Sequence, residues 1–270
     1  MIRAWVNGQE ASDISLRDRG FQYGDGLFET MRLEKSSIIF MNEHCARLQL
    51  GCQRLNIKIN IDLILQQLDI VLKEVASGVL KLIVTRGDSE RGYKINPEAP
   101  PTIIWIHSDY PVYPSSYYSE GVDVCICKTQ VSRNPVLAGL KHMSRMENIL
   151  ARQEWQDEYQ EGLMCDELGN IVEGTMSNFF AVKSDTLITP GLQYSGVEGV
   201  VRQKLLDIAA QENYRVEIRD INLAELESID SVLMTSSLIG VWPVRSIAAH
   251  QFEMNPLSKL LVERFQGYQD

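Results

Sequence analysis

The chain opens with short apolar runs closed by turn residues. Ala4-Trp-Val6 reads as a strand ending in the Asn7-Gly8 turn. Gly20, Gly24 and Gly26 mark tight backbone, and alternation from Leu27 to Leu33 then predicts a second strand. Glu34-Lys-Ser-Ser37 reads as a hairpin turn returning into Ile38-Ile-Phe-Met41. Asn42 is the expected cap of a helix carrying Cys45, Leu48, Cys52 and Leu55 along one side. A second helix is predicted from Asp62 to Ala76, stopped by Gly78. Strands Val79–Thr85 and Thr102–His107 flank a loop, Thr85–Tyr93, too polar and glycine-containing for either element. Tyr110–Tyr118, with two prolines and two serines, reads as a linker.

The second half begins with a strand, Val122–Lys128, and a loop whose Pro135 and Gly139 deliver Lys141. Met143, Met146, Ile149, Leu150 and Trp155 follow at mostly helical spacing and predict a helix with an apolar stripe directly after the lysine. Short strands Gly162–Asp166, Ile171–Glu173, Ser177–Val182 and Leu187–Thr189, broken by Gly-Asn and Ser-Asp turns, suggest a closed or barrel-like sheet. A helix opens after Gly199, and another, expected to do nothing but pack, spans Pro256–Phe265. The resulting expectation is an α/β (α+β) protein in two parts. Residues 1–109 form a smaller N-terminal α/β domain, 110–120 a linker, and 121–270 a larger barrel-like domain carrying Lys141.

Composition narrows the function classes. The chain has 270 residues, 44% of them hydrophobic and 23% charged, which suits a globular protein with a real core. A net charge of −10 without a run of lysines and arginines argues against nucleic acid and anionic membranes as partners. No apolar run approaches the roughly 20 residues that span a bilayer. Met1-Ile-Arg-Ala-Trp, running into polar Asn7-Gly-Gln-Glu10, does not read as a signal peptide, so a cytoplasmic protein is expected. Five scattered cysteines form no framework, and Cys125 and Cys127 lack a second pair at metal-binding spacing, so no metal site is expected.

Lys141 sits between apolar Leu140 and Met143. A lysine in partly apolar surroundings loses the hydration that favours its ammonium, and its amine becomes a better nucleophile, as a Schiff-base lysine requires. Taken alone, Lys141 reads sooner as an ordinary helix-start lysine with its head in water, as most lysines are.

The segment Asn134-Pro-Val-Leu-Ala-Gly-Leu-Lys141-His-Met-Ser-Arg-Met-Glu-Asn148 resembles the cofactor-lysine segment of the 4-amino-4-deoxychorismate lyases. These belong to the fold-type IV pyridoxal-phosphate enzymes, alongside branched-chain and D-amino-acid aminotransferases. Further matches run from about Asn7 to Val244. Gly24-Asp-Gly26-Leu-Phe-Glu29 resembles a family segment near the active site, which implies that Tyr23 and Glu29 face the cofactor cleft; read alone it is a structural turn. His44-Cys-Ala-Arg47-Leu48 matches a segment whose arginine binds the cofactor phosphate, a role that suits a guanidinium fork. Without the resemblance Arg47 is a solvated helix arginine. The 85–93 loop resembles the substrate-carboxylate loop of the D-amino-acid aminotransferases, with Tyr93 where they carry histidine. Arg91-Gly-Tyr93 looks like the lyase version and implies Arg91 for a substrate carboxylate, with Tyr93 beside it.

Val172-Glu173-Gly-Thr-Met-Ser-Asn178-Phe-Phe180 resembles the segment whose glutamate binds the pyridine nitrogen, and Asn178 follows at the family spacing. At Gly196-Val-Glu-Gly199-Val200-Val201 the family places the phosphate on the amides of Val200 and Val201, and a further phosphate contact maps to Ser237. Aminotransferases usually carry threonine where Val201 stands and an acidic or amide residue where Gly240 stands, so both departures lean toward the lyases. The resemblance therefore implies a homodimeric enzyme with pyridoxal phosphate in a cleft between two domains, converting 4-amino-4-deoxychorismate to 4-aminobenzoate and pyruvate. A D-amino-acid or branched-chain aminotransferase is the alternative. A cofactor-free binding protein would have no use for Arg47, Lys141, Glu173 and the Gly199 helix start together.

Overall fold

The computed structural model describes residues 2–267. The chain divides into two compact units, one taking everything up to Pro111 together with Leu140–Ser144, the other Val112–Gly139 and Arg145 onward.

In the first unit, β1 (Arg3–Val6), β2 (Gln9–Glu10), β3 (Gly26–Glu34), β4 (Ser37–Ile38), β5 (Gly78–Thr85) and β6 (Thr102–Ser108) form one sheet in the order β2-β1-β6-β5-β3-β4. Every pairing is antiparallel. Asn7-Gly8 and Lys35-Ser36 both take positive φ, the geometry of two-residue hairpin turns. Alternation sorts β3 cleanly: Leu27, Glu29, Met31 and Leu33 are buried, while Phe28, Thr30 and Arg32 lie on the half-exposed face. Two helices, α2 (Met41–Arg54) and α3 (Ile61–Leu72), bury Leu48, Cys52, Ile64, Leu68 and Val71. Each such side chain contributes about 1.5–3 kcal/mol. Gly51 of α2 lets the helix lie directly on Leu27, whose methyl groups occupy the space a Cβ would need.

Several boundaries differ from expectation. The cap of α2 is Phe40, in the left-handed region with no side-chain hydrogen bond, and Asn42 lies inside the helix. The second helix is shorter than predicted and is capped by Asn60, whose side chain accepts from the Asp62 and Leu63 amides. The strand expected from Ile38 ends at once, because the chain turns into α2. A short helix, α1 (Arg19–Tyr23), precedes β3; Asp18 caps it and Gly24 ends it at φ 65°.

In the second unit, α4 (Ser116–Ser119) leads into β7 (Val122–Ile126), and α5 (Met146–Arg152) precedes β8 (Glu161–Cys165), β9 (Ile171–Gly174), β10 (Asn178–Lys183) and β11 (Thr186–Thr189). After α6 (Val200–Gln211) come β12 (Arg215–Ile218), β13 (Ser231–Ser236), β14 (Gly240–Ile247), β15 (His250–Gln251) and α7 (Pro256–Gln266). The strands form one mixed sheet in the order β12-β11-β10-β13-β14-β7-β8-β9, with β15 on β14. This sheet curls until β9 lies beside β10, so the barrel-like expectation from the short strands holds. Val122, Leu163, Phe179, Val232 and Trp242 are among the residues filling its core.

The helix predicted directly after Lys141 starts five residues later, at Met146. Leu27 and His142 form an antiparallel bridge, Phe28 N–H donates to Lys141 O, and Met143 N–H donates to Gly26 O. The lysine segment is thus extended, its backbone committed to β3. The apolar stripe is not a buried seam either: Met146, Ile149 and Leu150 are exposed, while Trp155 lies beyond α5 and packs with Cys127 and Val131.

Candidate active site

Pairing with β3 sets where Lys141 points. With Leu27 opposite His142, Lys141 stands opposite Phe28 and shares its face of the sheet. Its Nζ lies 4.5 Å from the centroid of the Phe28 ring. A second ammonium, Lys81 Nζ on β5, lies 4.8 Å from the same ring. The Lys81 ammonium makes no ion pair or hydrogen bond among the described residues, and burial pulls its pKa down. A half-buried cation with only a ring for company is suited to receive an anion. The sequence reading passed over Lys81, although a charge inside the apolar run Val79–Val84 was the available signal.

Glu29, one step along β3 from Phe28, points the other way. It is buried on the helix-covered face, where Oε1 accepts from Arg47 Nε at 2.9 Å and Oε2 meets Arg47 Nη2 and His44 Nδ1, the latter at 2.6 Å. Burial alone would raise its pKa, but Arg47 and His44 bring it down to about 2. Burial lowers the His44 pKa against the pull of Glu29, so the imidazole stays neutral and donates to the carboxylate. Glu29 therefore acts as counter-ion to Arg47, fixing the guanidinium on α2.

Tyr23, at the end of α1, meets Tyr93 with ring centroids 5.6 Å apart. Arg91 and Tyr93 are both exposed on either side of Gly92, Tyr93 at 85%. This unit thus brings together Lys141 and Phe28, pairs Arg47 with Glu29, and groups Tyr23 with the Arg91–Tyr93 loop.

The second unit assembles its own set. Glu173 on β9 accepts from the Val197 amide at 2.8 Å, and Asn178 on β10 donates to the Val197 carbonyl at 2.8 Å. Both grip the peptide leading into α6. A Cβ on Gly199 would overlap Asn178 Oδ1, so glycine is required for this approach. Gly199 caps α6 without a side-chain hydrogen bond, and no described residue accepts from the Val200 or Val201 N–H. These amides and the positive helix end could hold an anion. Ser237 lies in the turn between β13 and β14.

Between Glu173 and Asn178, the chain at Thr175–Ser177 is held by Glu161 on β8, which the sequence reading also passed over. Its Oε1 accepts from the Gly162 amide at 2.9 Å, the Thr175 amide at 3.0 Å and Thr175 Oγ1 at 2.5 Å. Its Oε2 accepts from Ser177 Oγ at 2.6 Å and the Met176 amide at 3.3 Å. The carboxylate is fully buried, and burial pushes its pKa up against these donors. Strand alternation gave no warning of it, since every residue of β8 is buried.

The chemistry is then a lysine amine over an aromatic ring, a guanidinium set by a buried carboxylate, free helix amides and a second buried carboxylate. Among the described residues no group of three or more His, Cys, Asp or Glu side chains could hold a metal ion.

The family model for amino-transferase class IV matches residues 26–247. The aminodeoxychorismate lyase of Vibrio harveyi is 34% identical over 267 residues, spanning 97% of this chain and 98% of the relative. The crystal structure of the 4-amino-4-deoxychorismate lyase from Pseudomonas aeruginosa superposes with a TM-score of 0.95 at 40% identity, covering 98% of both chains. The branched-chain aminotransferase of Escherichia coli, at 22% identity, a TM-score of 0.84 and coverage of 98% of this chain and 93% of its own, shares the fold. The chain belongs to the class IV aminotransferase family.

Proposed function

We propose that the protein is a pyridoxal-phosphate-dependent aminodeoxychorismate lyase, converting 4-amino-4-deoxychorismate to 4-aminobenzoate and pyruvate. The observation that carries this reading is the extended Lys141 segment, which presents its amine over Phe28, in a chain 40% identical to the Pseudomonas lyase along 98% of its length.

The donor set fits the cofactor group by group. In the first unit Arg47 suits a phosphate dianion, and in the second the Val200 and Val201 amides, with Ser237, suit one as well. Glu173, buried and steadied by the Val197 amide, is the anion a protonated pyridine nitrogen needs. Lys141 supplies an amine for the aldehyde carbon. When bound, the cofactor supplies a ring that draws electrons from the carbon next to the substrate nitrogen.

The chain's own residues do the rest. With the cofactor bound, Lys141 Nζ would be the group that holds its aldehyde carbon and, once freed, the general base that takes the proton from the substrate ring carbon bearing nitrogen. Glu173 would hold a proton on the pyridine nitrogen, and Asn178 keeps the Val197 peptide in place. The neighbouring C–O bond would then break, its electron pair leaving with the enolpyruvyl oxygen, and the released enolate would take a proton on its methylene carbon to become pyruvate, with aromatisation of the ring driving the step. Arg91, beside Tyr23 and Tyr93, meets a substrate carboxylate, and Lys81 is a second cation for the same purpose.

Two copies would form a homodimer, for which the exposed Met146, Ile149 and Leu150 of α5 offer an apolar face. A cytoplasmic setting is consistent with five cysteines that are all free. No helix is long and apolar enough to cross a membrane among the described residues.

The test is fluorescence detection of 4-aminobenzoate from the loaded protein, given 4-amino-4-deoxychorismate made in place by its synthase. Product above the enzyme-free control that disappears in Lys141→Ala is expected. A protein that holds the cofactor yet yields no product overturns the lyase reading and favours an aminotransferase, to be tried on D- and branched-chain amino acids.

A further inference from the structure

Arg19 is the first residue of α1 and is almost fully buried. Its Nε donates to Asp25 Oδ2 at 2.7 Å. Its Nη1 donates to the Gly92 carbonyl at 2.9 Å and to Ser89 Oγ at 3.3 Å. The guanidinium carbon also lies 5.0 Å from the centroid of the Tyr23 ring. Arg86 holds the other side of Asp25, from Nε at 2.8 Å and Nη2 at 2.9 Å, so one carboxylate is shared by two guanidinium groups. The backbone of Arg19 is engaged as well, its amide donating to the Gly87 carbonyl at 2.9 Å. Arg19 therefore grips both feet of the 87–92 arch, one through its backbone and the other through its side chain.

The fastened peptide is the one between Arg91 and Tyr93. Both of these side chains are exposed, and Gly92 takes a φ of 101°, a conformation that L residues rarely adopt. Side chains standing in solvent do not fix their own direction; the buried tie at Gly92 O does it for them. We propose that Arg19 is a positioning residue for the substrate loop, locking the Arg91-Gly92-Tyr93 turn against Tyr23 so that Arg91 is already aimed when substrate arrives. The inference rests on the lyase reading for the identity of the substrate but not for the tie itself.

Arg19→Lys keeps a charge beside Asp25 but lacks the fork needed to reach Gly92 as well. Gly92→Ala approaches from the other end: nothing lies within 4 Å of the added methyl, so it strains only the turn and leaves the buried ion cluster alone. Both variants, loaded with pyridoxal phosphate, are compared with the parent in two ways. Trypsin nicking after Arg91 and Lys94, followed by fragment mass, reads the tie directly. It is expected to rise about fivefold or more in each variant. Steady-state kinetics should show KM for 4-amino-4-deoxychorismate raised about tenfold with kcat within about twofold, as lost substrate positioning predicts. Cofactor absorbance and dissociation should match the parent, which a general loss of structure would not allow. Unchanged nicking in Arg19→Lys overturns the proposal, as does faster nicking with unchanged KM, or a fall in kcat alone. If the parent yields no product, the lyase reading fails separately. The nicking comparison then decides alone, with faster cleavage after Arg91 and Lys94 in both variants supporting the tie and unchanged cleavage in Arg19→Lys refuting it.

Discussion

Glu29 and Arg47 form a buried ion pair, Nε to Oε1 at 2.9 Å, in which the carboxylate is 1% and the guanidinium 13% exposed. The pair ties acid stability to the proposed phosphate residue. Glu29 titrates near its ordinary value of 4.5 when the chain is unfolded and at about 2 when folded. Its contribution is therefore complete above pH 4.5 and is lost as pH falls toward about 2. A shift of that size is worth on the order of 3 kcal/mol. His44, whose pKa is lowered by burial, acts in the same direction, since acid protonates it in the unfolded chain first. Urea unfolding of the cofactor-free protein between pH 7 and pH 3 should show this loss. Glu29→Gln should be less stable at pH 7 because Arg47 loses its partner, and the two curves should converge in acid. Parallel curves would show that Glu29 does not titrate as the buried partner of Arg47.

The Lys141 ammonium lies 4.5 Å from the centroid of the Phe28 ring. Cation–ring contacts are worth about 0.5–2 kcal/mol. Phe28→Leu should therefore lower kcat/KM by roughly 2- to 30-fold. Stability should change little, because Phe28 lies on the half-exposed face of β3. A thermal melt beside the kinetic assay separates the two. An unchanged kcat/KM would mean that the ring does not hold the amine in its working position.

Gly199→Ala attacks the second unit. The new methyl would collide with Asn178 Oδ1, so either the side chain swings away from Val197 or the start of α6 moves. The Val200 and Val201 amides lose the Asn178 clamp on Val197 in the first case and are displaced in the second. Equilibrium dialysis should show pyridoxal phosphate binding weakened by about tenfold or more, the scale of a lost charged hydrogen bond. Asn178→Ala, which removes the obstructing oxygen, should partly rescue the Gly199→Ala variant; failure of that rescue would place the damage elsewhere.

What could be read ahead of the structure follows from how far apart the interacting residues lie along the chain. Strand β3 was legible because one of its faces is buried, which enforces alternation. The start of α6 was legible because Gly199 marks it within one turn. The extended course of Lys141 was not, since it pairs with residues more than 110 positions earlier and its own neighbours have helical spacing. The apolar stripe of α5 misled for a related reason: periodicity reports that a face is apolar, not what covers it. The pairing of Glu29 with Arg47 was not legible either, since a strand residue and a helix residue 18 positions apart meet only once α2 packs on β3.

Glu161 offers the sharpest test of whether the second carboxylate matters to the fold around it. Five donors converge on it, three of them backbone amides that can only donate. Glu161→Gln keeps the shape but replaces one acceptor oxygen with a donor amide, leaving at least one N–H facing another donor. The cost of an unsatisfied buried group is about 1–3 kcal/mol. Glu161→Leu removes both oxygens and should cost more, roughly the sum over several donors and well above 3 kcal/mol. Because the held residues lie between Glu173 and Asn178, cofactor affinity should fall in the same order as stability. Denaturant unfolding and equilibrium dialysis on the same two variants check the ranking. A Leu variant as stable as the Gln variant would mean that the Thr175–Ser177 turn is held by other contacts and that Glu161 is a passenger.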